Sequence, residues 1–196
     1  MNRRKKLPKI LEKEEREKLL DTFNTRYPTA QRDKTMIELM LDSGLRLSET
    51  INLKWANVNL TTGKVEVIEG KGAKDRIVYI NEEVLEKLKT WRDRQQEELN
   101  KRDISNKEYV FTSLTGNRLD SGNIRRKVYK QVKKAGINKK VSPHTFRHTF
   151  ATDLYKETKN IRLVQKALGH SDLSATMIYT HIVDDELESA MKNFRK

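Results

Sequence analysis

The chain has 196 residues, which suits one domain with short appendages and is long enough for a substantial hydrophobic core. Lys and Arg number 41 against 28 Asp and Glu, a formal charge of +13 that points first to nucleic acid, although many basic domains have no such partner. The absence of cysteine excludes disulfides, thiolate catalysis and cysteine zinc sites, and no apolar run approaches the roughly 20 residues of a membrane span.

Residues 1–9 carry five basic residues and no acid, and no apolar signal region follows Met1–Lys6. The first ten residues read as a basic arm or the stub of a linker, on a protein expected in the cytoplasm at the nucleoid. Leu11 to Phe23 reads as a helix, with Leu11, Leu19, Leu20 and Phe23 at helical spacing. Gln31 to Leu41 is a second, turning Met36, Ile37, Met40 and Leu41 inward and stopping at Ser43-Gly44. Ser48 is the expected N-cap of a third helix, which leaves Arg46 in the turn between two helices. Lys64 to Ile68 and Arg76 to Ile80 are β-type runs around a Gly-rich turn and predict a hairpin. A long helix from Glu82 to Leu99 buries Val84, Leu85, Leu88 and Trp91, and Tyr109-Val110-Phe111 reads as a third short strand.

Ser121 to Ala135 is a helix with a core stripe of Ile124, Val128, Val132 and Ala135. From Ile124 to Lys140 there are eight basic residues and no acid, whereas a solvated helix face usually mixes signs. Arg125, Arg126, Lys127, Lys130, Lys133 and Lys134 are therefore candidate DNA-phosphate contacts. Pro143 to Thr158 and Ile161 to Leu168 are helices, the latter ending at Gly169. Val183 to Phe194 is a terminal amphipathic helix with Val183, Leu187, Met191 and Phe194 on one face. The fold class is α+β: mainly α-helical with a small antiparallel sheet.

Read singly, the polar motifs are ambiguous. Arg46 follows a glycine turn and is otherwise a surface arginine; Glu49 either orients its guanidinium or favours the helix N-terminus. Gly70-Lys71-Gly72-Ala73-Lys74 lacks P-loop spacing, so Lys71 and Lys74 are either solvated turn residues or lysines on a tip that reaches the DNA minor groove. His144 and Arg147 are three apart, on one helix face, a pair suited to phosphate and unsuited to a metal cation. The histidines at 144, 148, 170 and 181 match no zinc motif, so no metal site is expected.

Taken together, Gly-Leu-Arg-Leu-Ser-Glu (44–49), Gly-Lys-Gly-Ala-Lys-Asp-Arg (70–76), His-Thr-Phe-Arg-His-Thr-Phe-Ala-Thr (144–152), Leu-Gly-His (168–170) and Tyr-Thr-His (179–181) resemble, in order and approximate spacing, the tyrosine recombinase (phage integrase) family. Leu53-Lys54-Trp55 also looks like the family, while Asn57 stands where many members carry an acid. The resemblance runs from about Pro8 onward. It implies a catalytic domain over 11–182 and a segment, 183–196, that docks either on a neighbouring protomer or on its own domain. Family members usually carry an N-terminal helical DNA-binding domain that completes a clamp; about ten residues precede the catalytic region here, consistent with an excised domain or a short stand-alone member.

The resemblance further implies that Tyr179 attacks the scissile phosphorus, leaving a 3′-phosphotyrosine and a free 5′-hydroxyl. Arg46 and Arg147 would neutralise the developing charge and His170 would donate a hydrogen bond. His144 would accept the tyrosine proton, Lys71 would protonate the leaving oxygen, and Glu49 would give support. No cofactor, metal or ATP is expected. The partners are double-stranded DNA and further copies of the chain, tetrameric in synapsis and weakly associated or monomeric otherwise. Strand-exchanging recombinase is the reading adopted, with a type IB topoisomerase-like enzyme and a non-catalytic DNA-binding protein on the same fold as the alternatives.

Overall fold

The computed structural model describes residues 8–68, 75–105, 108–180 and 191–192. Seven α-helices, two strands and two short 3₁₀ turns lie within them. The expectations at 1–7, at Lys71 and Lys74, and over 181–190 and 193–196 fall outside the described residues.

Helix α1 spans Lys13–Asp21 and starts two residues later than its apolar spacing predicts. Glu12 and Glu15 form a reciprocal capping box. The preceding Leu11 is buried but outside the helix, its N–H donating to Thr149 Oγ1 at 2.9 Å. Helix α2, Pro28–Ser43, gains a turn at its start because Pro28 supplies a preset helical φ where no N–H is needed. It stops at Gly44, in the left-handed region at φ +66°. A Cβ on Gly44 would lie 2.3 Å from Phe150, so the glycine is required by both backbone and packing.

Helix α3 is Leu47–Asn52, and its N-cap is Arg46, not Ser48. Glu49, at the third helical position, reaches back to the Arg46 N–H at 2.7 Å and closes a capping box with Arg46. Strands β1 (Lys64–Val67) and β2 (Arg76–Tyr79) are antiparallel, with Val65 opposite Val78 and Val67 opposite Arg76. Val65, Val67, Arg76 and Val78 face inward, while Ile77 and Tyr79 face out. The expected third strand does not join this sheet. Tyr109 instead makes an isolated bridge to Lys54, and the Val110 N–H donates to Leu53 O at 2.9 Å, so the segment pairs with the chain after α3.

Helix α4, Glu82–Asn100, is capped by Asn81, whose side chain accepts from Val84 N at 2.9 Å. Helix α5 is Ser121–Lys134, capped by Asp120. Helices α6, Pro143–Thr158, and α7, Ile161–Leu168, have the predicted bounds.

Helix α2 is the centre of the fold, packing against α4 on one side and α6 on another. The main core gathers Met36, Ile37, Leu39 and Met40 of α2 with Leu85, Leu88 and Trp91 of α4, the inward hairpin valines, and Ile124, Val128 and Val132 of α5. A second, smaller cluster joins Ala151 of α6, Val164 and Leu168 of α7, and Tyr179. One buried ionic group ties α2 to α5. Asp33 accepts from Arg32 Nε at 2.8 Å and from Lys127 Nζ at 2.7 Å, and Arg32 also donates to Thr112 O. With both charges of the Arg32–Asp33 pair hydrogen-bonded, burial is tolerated.

Candidate active site

Four local devices bring the predicted residues to one place. The α2–α3 turn presents Arg46 at the mouth of a helix, with a third of its side chain exposed, and Glu49 holds it through Oε1 at 2.6 Å from Nη1. Helix α6 supplies Arg147 from an almost fully buried position. Arg147 Nη1 donates to Gly44 O at 2.7 Å and Nη2 to Leu168 O at 2.5 Å, so one guanidinium joins the ends of α2 and α7. Each of those carbonyls belongs to a helix end that has run out of N–H partners. Gly169 ends α7 at φ +66° and turns His170 back toward Arg147, with Nε2 3.2 Å from Nη2.

Burial, followed by repulsion from Arg46, lowers Arg147 to about 10, so it stays charged near neutral pH. Burial and then the positive charges of Arg147, Arg46 and Arg76 lower His170 to about 4. His170 is therefore neutral at pH 7. A guanidinium can only donate, so Nε2 accepts from Arg147 and the ring proton sits on Nδ1, which donates to Thr176 Oγ1 at 3.0 Å. Gln165 brackets the same loop: its main-chain carbonyl accepts from the His170 N–H at 3.1 Å and its side-chain amide donates to His170 O at 3.1 Å.

Tyr179 lies behind this group, 1% exposed, among Ala151, Val164 and Leu168. Its phenolic oxygen is 2.9 Å from Nδ1 of His148. Burial raises the Tyr179 pKa, against the pull of Arg147. Burial lowers His148, helped by His144 and Arg147. The imidazole in contact with the tyrosine thus belongs to His148, one helical turn after His144, and His144 itself is solvent-exposed.

Arg46, Arg76, Gly169 and His170 line a groove of about 1090 Å³ between the hairpin and α7. Ile68 and Asp75, the described residues on either side of the segment that carries Lys71 and Lys74, line it too. Among the described residues no group of three or more His, Cys, Asp or Glu side chains could hold a metal ion.

The basic helix divides into two sets. Arg125, Arg126, Lys130 and Lys133 are exposed on α5, together with Tyr129. Lys127 is tied to Asp33 at 2.7 Å, and Lys134 donates to Thr22 O at 2.8 Å. These two lysines hold neighbouring elements together as well as carrying charge.

Arg76, His148, Gln165 and Thr176 enter the site without having been singled out from the sequence. The signal for His148 was present, since it stands next to Arg147 and four residues after His144, on the same side of a helix. Arg76 had a weaker one, a charged residue at an inward position of a short strand. Gln165 and Thr176 had none, because their roles arise from contacts made across the α7–His170 turn.

The pattern of the phage integrase family matches residues 9–186. A tyrosine recombinase XerD of Staphylococcus saprophyticus subsp. saprophyticus is 38% identical over 190 residues, 97% of this chain and 63% of that protein. The chain thus spans a little under two thirds of the length of such relatives. The crystal structure of XerA recombinase superposes with a TM-score of 0.81 at 34% identity, covering 98% of this chain and 67% of the other. XerH site-specific recombinase bound to a palindromic difH substrate, a post-cleavage complex, superposes with a TM-score of 0.79 at 31% identity, covering 97% of this chain and 54% of the other.

Proposed function

Because the chain belongs to the phage integrase family, we propose that it is the DNA breaking-and-rejoining part of a site-specific tyrosine recombinase. The observation that carries this reading is the convergence of Arg46, Arg147 and neutral His170 beside buried Tyr179 and its half-buried partner His148. That set has the parts a phosphodiester transfer needs: fixed cationic donors for the developing charge, a nucleophile and a proton acceptor. The names of the relatives and the cleaved-substrate complex of XerH support the same chemistry.

In this reading Tyr179 attacks the phosphorus, a P–O bond to tyrosine forms, and the P–O5′ bond breaks. The phenolic proton passes to a histidine, and the leaving 5′-oxygen takes a proton from Lys71. The high-energy linkage is conserved as 3′-phosphotyrosine, so a 5′-hydroxyl from a second duplex reverses the step without ATP. Tyr179 is 1% exposed, so its oxygen meets a phosphate only after residues around Thr176–Thr180 shift outward. Arg125, Arg126, Lys130 and Lys133 supply backbone attraction along the duplex, with Lys74 and, secondarily, Lys127 and Lys134. Copies of the chain act together on DNA, four in synapsis, with 183–196 docking on a neighbour. The protein works with chromosomal DNA in the cytoplasm. Among the described residues no helix is long and apolar enough to cross a membrane.

The test is incubation with a nicked suicide duplex in EDTA, followed by denaturing electrophoresis. A covalent adduct that disappears in Tyr179→Phe is the expected result. An adduct that survives in Tyr179→Phe, or none on a verified site with a helical DNA-binding domain supplied, overturns the reading.

A further inference from the structure

Glu49 is held by two arginines, one of which is almost wholly buried against the groove wall. Its Oε1 accepts from Arg46 Nη1 at 2.6 Å and from Arg76 Nη1 at 3.0 Å. Its Oε2 accepts from the Arg46 backbone N–H at 2.7 Å and from Arg76 Nη2 at 2.7 Å. The Glu49 and Arg76 side chains are 7% and 6% exposed, against 34% for Arg46. Arg76 is also fixed at its other end. Its Nε donates to Ala167 O at 3.0 Å, in the last turn of α7, and its Cδ packs under Gly169, where a Cβ would approach to 2.8 Å.

We propose that Arg76 is a positioning residue: by sharing the Glu49 carboxylate it keeps the charge of Arg46 available to a phosphate and locks β2 to the His170 turn. The inference rests on the recombinase reading for its catalytic consequence. The two arginines compete for one carboxylate. A buried carboxylate with a single cationic partner neutralises that partner strongly in a low-dielectric site. Arg76 offers Glu49 a second, bidentate guanidinium. Glu49 then aligns Arg46 without cancelling its field at the groove. The fork is needed for this, because a lysine at position 76 carries the charge but cannot span both oxygens and Ala167 O. The turn that carries His170 is held from below by the same side chain, so the hairpin and α7 keep one relative position on the two walls of the groove.

The test uses the full 196-residue chain in two arms. In the first, binding of inorganic phosphate is measured for Arg76→Lys, Arg46→Lys and the double variant. Each single change is expected to weaken phosphate binding several-fold, and the double variant is expected to bind about as well as the weaker single, because residues that act as a unit are non-additive. In a Glu49→Gln background Arg76→Lys is expected to weaken phosphate binding much less, since no carboxylate is then left to compete and only the hold on the His170 turn is lost. In the second arm, adduct formation on the suicide duplex is compared with a duplex whose scissile phosphate is a methylphosphonate, which lacks one negative charge. Arg76→Lys is expected to slow the phosphate reaction by about tenfold or more and to lie much closer to wild type on the methylphosphonate. A loss of fold alone would lower both substrates equally, and thermal melts of Arg76→Lys identify it. Wild-type phosphate affinity in Arg76→Lys, or losses that multiply in the double variant, overturn the proposal. A wild-type chain that binds phosphate as expected yet forms no adduct overturns the recombinase reading and leaves the role of Arg76 decided by the first arm.

Discussion

The Nδ1 atom of His148 lies 2.9 Å from the phenolic oxygen of Tyr179, with the two rings tilted by 50°. Burial holds both groups in their neutral forms, raising the phenol and lowering the imidazole. A neutral phenol is a poor nucleophile, and a neutral imidazole beside it is a ready proton acceptor. His148→Ala is expected to slow formation of the covalent adduct by about a hundredfold while leaving duplex affinity nearly unchanged. Single-turnover assays of His148→Ala beside His144→Ala decide between the two histidines. A greater loss in His144→Ala assigns the proton to the exposed imidazole after a rearrangement of the tyrosine.

His170 gives the site a pH signature. Its pKa in the folded chain is about 4, below the ordinary histidine value, because burial and three arginines oppose its charge. The unfolded chain therefore binds a proton at this residue where the folded chain does not, between the ordinary value and about 4. Stability from this source is complete above about pH 6.5 and falls as the pH drops toward about 4. His148, lowered in the same direction, adds to that loss. Urea unfolding from about pH 7 down to about pH 4.5 is expected to lose stability less steeply in His170→Gln than in wild type. Equal slopes would show that His170 titrates normally. A phosphate in the groove supplies the missing negative charge, so histidine NMR is expected to show the His170 midpoint rising when inorganic phosphate is added.

The basic helix makes an unequal contribution along its length. Arg125, Arg126, Lys127, Lys130 and Lys133 are all exposed, but Lys127 is bound to Asp33. Replacing Lys130 and Lys133 with Gln is expected to flatten the dependence of log affinity on log salt by roughly 0.9 for each phosphate that is no longer neutralised. Lys127→Gln is expected to change that slope less and to reduce stability by about 1 kcal/mol, since Asp33 keeps its bonds to Arg32 but loses one donor. Binding titrations at several salt concentrations, with urea melts of the same variants, separate the two effects. An equal slope change for all three lysines would make the Asp33 ion pair irrelevant to binding.

Two glycines with nearly the same backbone should behave differently. Gly44 and Gly136 both sit in the left-handed region, at φ +66° and +67°. A Cβ at Gly44 meets Phe150 at 2.3 Å, while one at Gly136 meets nothing within 4 Å. Gly136→Ala is expected to cost about 1 kcal/mol from backbone strain alone, and Gly44→Ala roughly 2–4 kcal/mol from strain plus overpacking. Gly44 O also accepts from Arg147, so only Gly44→Ala is expected to weaken phosphate binding. Denaturant unfolding of both variants checks the order.

Much of this molecule was decided within short stretches of chain. Helical periodicity set the existence of α4, α6 and α7 and nearly all of their bounds, because an amphipathic repeat, a capping residue and a terminal glycine or left-handed residue act over a few positions. The ordered motifs at 44–49, 144–152, 168–170 and 179–181 carried the family and the candidates Arg46, Arg147, His170 and Tyr179 for the same reason: the residue types needed at a phosphate are unusual together. What depended on tertiary structure was pairing over distance. Glu49 and Arg76 are 27 positions apart, His148 and Tyr179 are 31 apart, and Arg147 joins carbonyls on two different helices. The failure of Tyr109-Val110-Phe111 to extend the hairpin has the same origin, since its partner, Leu53–Trp55, lies more than 50 positions away and meets it only in the folded chain. Local propensity selects the elements; which buried donor meets which acceptor is settled only when the helices pack and water is excluded from the polar groups between them.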